Sequence, residues 1–315
     1  MMPALVSERP QPAEVAELTD LLPPQGFPGI AHGIDIDVYH SMPGISKTGI
    51  DAVNRSPAHY FGWHLDPMRP PPKDRSGQLE GTLAHCAVLE PAEFAKRYAT
   101  VPPNAPRRPT EAQWNAKNPS PESVSAMGWW SEFTERTGGK AIITPTQYET
   151  AMRQAQSIRS LPEIAEALER GKSEVSAMWI DPITGEPCRC RPDWVSDFGA
   201  RRVVLLDVKT YSDASAAEFA RQIARKRYHV QDAFYSDGYA SATGVDVMGF
   251  IFVAVESEWP FQANAMMLGE RSREQGRVAY QRNLATYSSC RKRGLWPGYS
   301  EAIQLIELPS YAMTD

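Results

Sequence analysis

The stretch RRVVLLDVKT, residues 201–210, constrains this chain more than any other. Its apolar run at 203–206 reads as a buried strand, yet the run leads straight into Asp207 and, past Val208, Lys209. Aspartate is a poor strand former, and a buried carboxylate or ammonium is costly unless it is paired or binds a metal. Side chains alternate faces along a strand. Asp207 and Lys209 therefore share one face, roughly 6.6 Å apart at about 3.3 Å per residue, and Val208 points into the opposite layer. Upstream, PCRCRPDWV also reads as a strand, and the glycine-containing turn SDFGA between the two would make a hairpin that sets Asp193 beside Asp207. Adjacent carboxylates repel each other, and at neutral pH a divalent cation with oxygen ligands, Mg2+ above all, relieves the repulsion.

Metal-bound carboxylates polarise phosphoryl oxygens and lower the pKa of a bound water, while a neighbouring ammonium orients that water and offsets transition-state charge. Lys209 fits the second role. The pattern therefore points to phosphodiester hydrolysis. A kinase reading of DFG at residues 197–199 fails, because neither a Gly-rich loop nor an H-R-D segment accompanies it.

The rest of the chain supports a large α/β protein. The 315 residues are 42% hydrophobic, enough for a sizeable core, and a net charge of -5 means that a polyanion must be met by a local basic patch or by metal. No run is long enough to span a membrane and no signal-peptide pattern opens the chain, so a cytoplasmic protein is expected. The four scattered cysteines, Cys86, Cys188, Cys190 and Cys290, are expected as reduced thiols. Residues 1–30, rich in Pro and Glu, read as a flexible leader, and residues 31–315 as the folded domain with a Pro-rich insertion near 101–123. Helices are expected from Ser46, a plausible cap, to about Pro67, over 77–98, over 144–170, over 213–241 and over 271–293. Strands are expected at 173–181, 187–195, 201–210 and 247–257, giving a mixed central sheet flanked by helices.

These residues resemble a known family. RPDWVSDFGARRVVLLDVKT is similar to the PD-(D/E)xK nuclease signature, and Gln231 and Tyr235 in QDAFY to the Q-x-x-x-Y helix of its RecB-like branch. GTLAHCAVLEP, with Gly81 and His85, resembles the G-x-x-x-H element of that branch. The likeness extends over roughly residues 35–312 to the RecE-type exonucleases of prophage recombination systems, through ISKTGIDAVNRSPAHY, YHVQDAFYSDGY and GLWPGYSEAIQLIELPSYA. It implies a restriction-endonuclease-like α+β core. It also implies metal binding by His85, Asp193, Asp207 and the Val208 carbonyl, a catalytic Lys209, and supporting roles for Gln231 and Tyr235. Glu174 is within reach of such a site, although a lone acid at a strand start is expected in solvent.

The implied cofactor is Mg2+, or Mn2+, with two ions per site. The implied substrate is duplex DNA with free ends, digested 5′ to 3′ on one strand to leave a 3′ overhang for a single-strand annealing recombinase, by a ring-like homo-oligomer. A RecB-like endonuclease, a helicase-associated nuclease and a non-catalytic DNA-binding protein of the same fold stay open as alternatives. Arg221, Arg225, Lys226, Arg227 and His229 form a basic group suited to phosphates. An iron–sulfur cluster fails on position, since two of the four cysteines fall inside the hairpin. Core or interface packing is the expected use of most of Phe61, Trp63, Trp129 and Trp130, although each ring could stack on a base.

Overall fold

The computed structural model describes residues 28–71, 77–308 and 313. The proposed leader lies outside these residues up to position 27, as do 72–74 of the connector and 309–312 of the closing segment. The described chain opens with β1 (Gly29–Ala31), α1 (Ile36–Ser41), α2 (Lys47–Arg55) and α3 (Pro57–Tyr60), which continues as a π-helical turn at Phe61–Leu65. Next come α4 (Gln78–Leu89), α5 (Pro91–Arg97), β2 (Tyr98–Thr100), α6 (Glu111–Trp114), α7 (Pro121–Arg136), β3 (Ala141–Ile143), α8 (Pro145–Arg159) and α9 (Pro162–Glu169). The strands β4 (Gly171–Ser173), β5 (Ser176–Ile180), β6 (Pro187–Cys190), β7 (Trp194–Asp197) and β8 (Arg202–Tyr211) follow. The chain then forms α10 (Ala216–Lys226), α11 (Tyr228–Thr243), β9 (Asp246–Glu256), β10 (Ala263–Met267) and α12 (Glu270–Arg293).

The central sheet has the order β10-β9-β8-β7-β4 and is mixed: β8 and β9 run parallel, and every other pair is antiparallel. Residue alternation along β8 builds two cores. Val203 and Leu205 pack with Phe250 and Phe252 beneath α2, α10, α11 and α12, whereas Val204, Leu206 and Val208 pack with Val253 and Val255 beneath α4, α8 and α9. Val208 thus occupies the layer opposite Asp207, as the period of a strand requires.

Several expected elements are divided, each for a local reason. The run at 187–195 is two strands, because Pro192 cannot donate to a ladder. β6 joins the separate sheet β1-β5-β6, and β7 joins the central one. The helix expected over 213–241 breaks at Arg227, which takes a left-handed φ of 56°. Pro91 starts a new helix after α4, and Pro57 after α2. The insertion contains the short α6, and α7 begins within it. β1, β2, β3 and β10 are additions to the expected strands, and Gly29 and Ile30, placed in the leader, pair with Met178 and Ala177 of β5.

Ser46 caps α2, its side chain accepting from Gly49 N, and Ile50 and Val53 are buried. All four cysteines are buried free thiols. Among the described residues no helix is long and apolar enough to cross a membrane.

Helix α11 is clamped at close range on both sides. A Cβ on Gly238 would fall 2.2 Å from the Trp179 ring, and one on Gly276 of α12 would fall 1.9 Å from the His229 carbonyl oxygen. Only glycine permits these approaches. Beside the second contact, Asp232 is fully buried, 3.1 Å from Arg273, with its Oδ2 lacking a hydrogen-bond partner. Burial pushes its carboxyl up to about 6, against the opposing pull of Arg273 and Ser236.

The folded chain therefore holds this proton more tightly than the unfolded chain does. Stability from Asp232 is fully present below about 3.8 and is lost as pH rises through about 6. Asp232→Asn does not titrate, so its melting temperature should gain on the wild type as pH climbs from 4 to 6 and stay level above. A pH-independent difference in thermal melts would mean that Arg273 keeps Asp232 ionised throughout.

Candidate active site

Asp207 lies midway along β8, 2% exposed, one residue past the stretch that pairs with β7. Trp194 faces Leu206 in the ladder, so Asp193 comes one step further, next to Asp207, in the link where the chain crosses from one sheet to the other. Free of the ladder, the Asp193 carboxylate turns back, and its Oδ2 accepts from Val208 N at 2.7 Å. From the other layer α4 presents His85. Its Nε2 lies 2.8 Å from the Val208 carbonyl oxygen and its Nδ1 3.5 Å from Asp193 Oδ2.

Glu174 joins the same group. It is not a solvent-facing acid: the turn between β4 and β5 holds it at φ 52°, its N–H donates to the Asp193 carbonyl at 2.9 Å, and its carboxylate meets Arg191 at 2.6 Å. A left-handed glutamate is uncommon, and such strain gathers at functional sites. Ligand atoms of His85, Glu174 and Asp193 all lie within 4.8 Å of one another.

On the β8 face, Lys209 ion-pairs with Asp207 Oδ2, and Gln231 Nε2 donates to Asp207 Oδ1 at 2.5 Å. Tyr235, one turn further along α11, packs edge-on to Phe250, and burial raises its pKa, with Tyr39, Cys190, Asp207 and Asp193 adding to the effect. Burial is also the largest influence on the carboxylates. It raises Asp193, with Asp207 adding to the rise and His85, Lys209 and the Val208 N–H opposing it. It raises Glu174, with Asp193 adding and Arg191 and His85 opposing. For Lys209 burial favours the neutral amine, but Asp207 and Asp193 together outweigh it and hold the pKa above its ordinary value. Lys209 is thus an ammonium at neutral pH.

Three carboxylates face two fixed cations, Arg191 and Lys209. An imidazole nitrogen, carboxylate oxygens and the Val208 carbonyl form a donor set suited to a hard divalent ion.

The structure brings His85, Glu174, Asp193, Asp207, Val208, Lys209, Gln231 and Tyr235 together. The basic group divides. Arg221 is 75% exposed and Arg225 is exposed, but Arg227, proposed to hold DNA, is turned inward to Asp51 at 2.9 Å and ties the α10–α11 junction to α2.

Two nearby cations went unpredicted. Arg191 stacks over the buried Tyr39 at 5.4 Å. Lys47 donates to Asp51 and to the Lys226 carbonyl, and shares the Tyr228 ring with Lys209. A lysine at the first position of a helix opposes the helix dipole, and that anomaly was the available signal.

A mixed sheet with a carboxylate-lysine strand at its centre and helices on both faces defines a PD-(D/E)xK-type fold. The profile of the family described as "PDDEXK-like domain of unknown function (DUF3799)" matches residues 46–309, and the chain belongs to that family. Among solved structures, a protein described as "Putative exonuclease" from Eubacterium rectale superposes with a TM-score of 0.53 at 11% identity, over 90% of this chain and 98% of that one. A search of curated proteins gave no match.

Proposed function

We propose that this protein is a divalent-metal-dependent exodeoxyribonuclease. The convergence of His85, Glu174, Asp193 and the Val208 carbonyl beside the Asp207–Lys209 pair carries the reading. Bound there, Mg2+ or Mn2+ supplies charge neutralisation at the phosphate and a water of lowered pKa. Every other contribution comes from the chain. Gln231 fixes the orientation of Asp207, and Val208 N–H fixes that of Asp193. Lys209, already protonated, orients the attacking water and stabilises negative charge in the transition state; it is not the base. Arg191 holds the Glu174 carboxylate in place through their 2.6 Å ion pair.

The finer assignment rests on the RecE-type resemblance: digestion of one strand of duplex DNA from the 5′ end, a 3′ overhang for an annealing partner, two ions per site and a ring-like assembly. The test is incubation of end-labelled linear duplex and closed circles with Mg2+. Loss of label with progressive shortening of the linear form and intact circles is expected. Cleaved circles would make it an endonuclease, and binding without hydrolysis would make it a DNA-binding protein.

On this reading the exposed Arg221, which also pairs with Glu218 at 2.8 Å, and the exposed Arg225 would meet the duplex backbone. Their removal should weaken binding alike across sequences and flatten the salt dependence by about 0.9 log units per log of salt for each phosphate left unneutralised. The slope of affinity against salt, measured in Ca2+, checks this, and an unchanged slope would return the pair to a solvated helix face.

A further inference from the structure

The π-helical turn leaves Phe61 and Trp63 out of the core, at 38% and 51% exposure, and Tyr299 of the C-terminal segment is 67% exposed. The rings form one group. His59 lies 5.3 Å from Trp63 and 5.5 Å from Tyr299, while the Arg55 guanidinium sits 5.5 Å over Trp63 and donates to the Tyr299 hydroxyl at 3.4 Å.

The group is stiffly mounted. Tyr60, buried beneath it, stacks on Trp296 at 5.3 Å, and Arg69 donates to the Trp63 and His64 carbonyls, fixing the end of the turn. Gly62 separates Phe61 from Trp63, and a Cβ there would meet nothing within 4 Å, so open space lies beside the rings.

A charged line joins this face to the catalytic residues. Lys47, Asp51 and Arg55 follow one another at i, i+4 and i+8 along one side of α2, a distance of about 12 Å at 1.5 Å per residue. Both oxygens of Asp51 are taken, by Lys47 and Arg227, so the line is positive in sum. Lys47 shares the Tyr228 ring with Lys209. Three to four stacked nucleotides, at about 3.4 Å each, span the line.

We propose that Trp63, Tyr299 and Arg55 form a base-stacking subsite for single-stranded DNA, at the end of a cationic track that starts beside Lys209. Stacking on aromatic faces with a guanidinium nearby is sequence-tolerant, because every base has a π-face. The proposal rests on the nuclease reading for where the strand comes from, but binding tests it without turnover.

The experiment is equilibrium binding of fluorescently labelled dT12 in Ca2+. Trp63→Ala and Tyr299→Ala should each lose about fivefold or more in affinity, the lower end of what one stacked base contributes. Trp63→Phe should stay within about threefold of the wild type. Gly62→Asp, which sets a carboxylate in open space without a clash, should weaken binding as well. The rise in melting temperature on adding Ca2+ should be the same in all four variants, since none touches the carboxylate cluster.

Wild-type affinity for dT12 in Trp63→Ala and Tyr299→Ala would overturn the proposal and give this face to a protein partner. Should Trp63→Ala fail to fold, Tyr299→Ala and Gly62→Asp, both at open positions, decide the matter. If the wild type binds dT12 through these residues yet hydrolyses no DNA, the subsite stands and the nuclease reading falls.

Discussion

Lys209→Ala should cut single-turnover cleavage of linear duplex by about 10²- to 10³-fold, the range for removing one preorganised group that stabilises transition-state charge. Affinity for DNA in Ca2+ should change little, because Lys209 is ion-paired with Asp207. Without metal the variant leaves the buried Asp207 and Asp193 less shielded from each other, so its melting temperature should fall. Ca2+ should restore most of that loss, since a ligand that binds only the folded state stabilises it by mass action. Arginine should rescue poorly: its planar fork cannot place a compact charge at the same point beside Asp207. Rapid-quench kinetics beside thermal melts check the two halves, and near-normal cleavage by Lys209→Ala would remove the central residue of the proposed mechanism.

Asp207→Asn keeps the shape of the side chain and its bond from Gln231 while deleting the charge. Several kcal/mol of metal-based stabilisation should go with it, about three orders of magnitude in rate at about 1.4 kcal/mol per tenfold. Folding should survive. The repulsion from Asp193 disappears with the charge, and Lys209 still has Asp193 as an attractive neighbour. The increment in melting temperature produced by Mg2+ or Ca2+ should shrink sharply. Wild-type protein in excess chelator should behave like the variant, and Ca2+ should support binding with little cleavage, because its longer, looser coordination places water poorly. Full activity in chelator would refute the metal mechanism.

The centre of the site was legible because strand alternation is rigid. Once residues 203–206 are a buried strand, Asp207 and Lys209 must share a face and Val208 must oppose them, and the cores divide in that way. A turn was legible from Gly199, although β7 runs on through Ser196 and Asp197 and the turn itself falls at 198–201. The departure of Asp193 from its strand was not read, although Pro192 carried the signal: a proline before an aspartate marks a place where the ladder cannot continue.

Glu174 was legible as an acid within reach of the site, but its expected place in solvent was wrong. Its direction is set by a left-handed turn that no pattern of apolar residues announces, and by an ion pair with Arg191 that depends on tertiary placement. Arg227 misled because a cluster of basic residues says nothing of which one turns inward, and its role at the α10–α11 break follows from Asp51, 176 residues away. β10 and β1 are edge strands of five and three residues, too short to show a period.

The contact between His85 and the Val208 carbonyl joins positions 123 residues apart, and Glu174 and Asp193 enter from two further segments. Closing so long a loop is an entropic step that is made late, and contacts of this separation are slow to form. A divalent ion held by these residues would therefore find no complete binding place on a half-made chain, and its affinity would include the free energy of docking α4. On the nuclease reading this has a cellular meaning. A chain emerging from the ribosome in the presence of genomic DNA carries no cutting centre until its last distant contact is made, so synthesis itself keeps the enzyme harmless while it is incomplete.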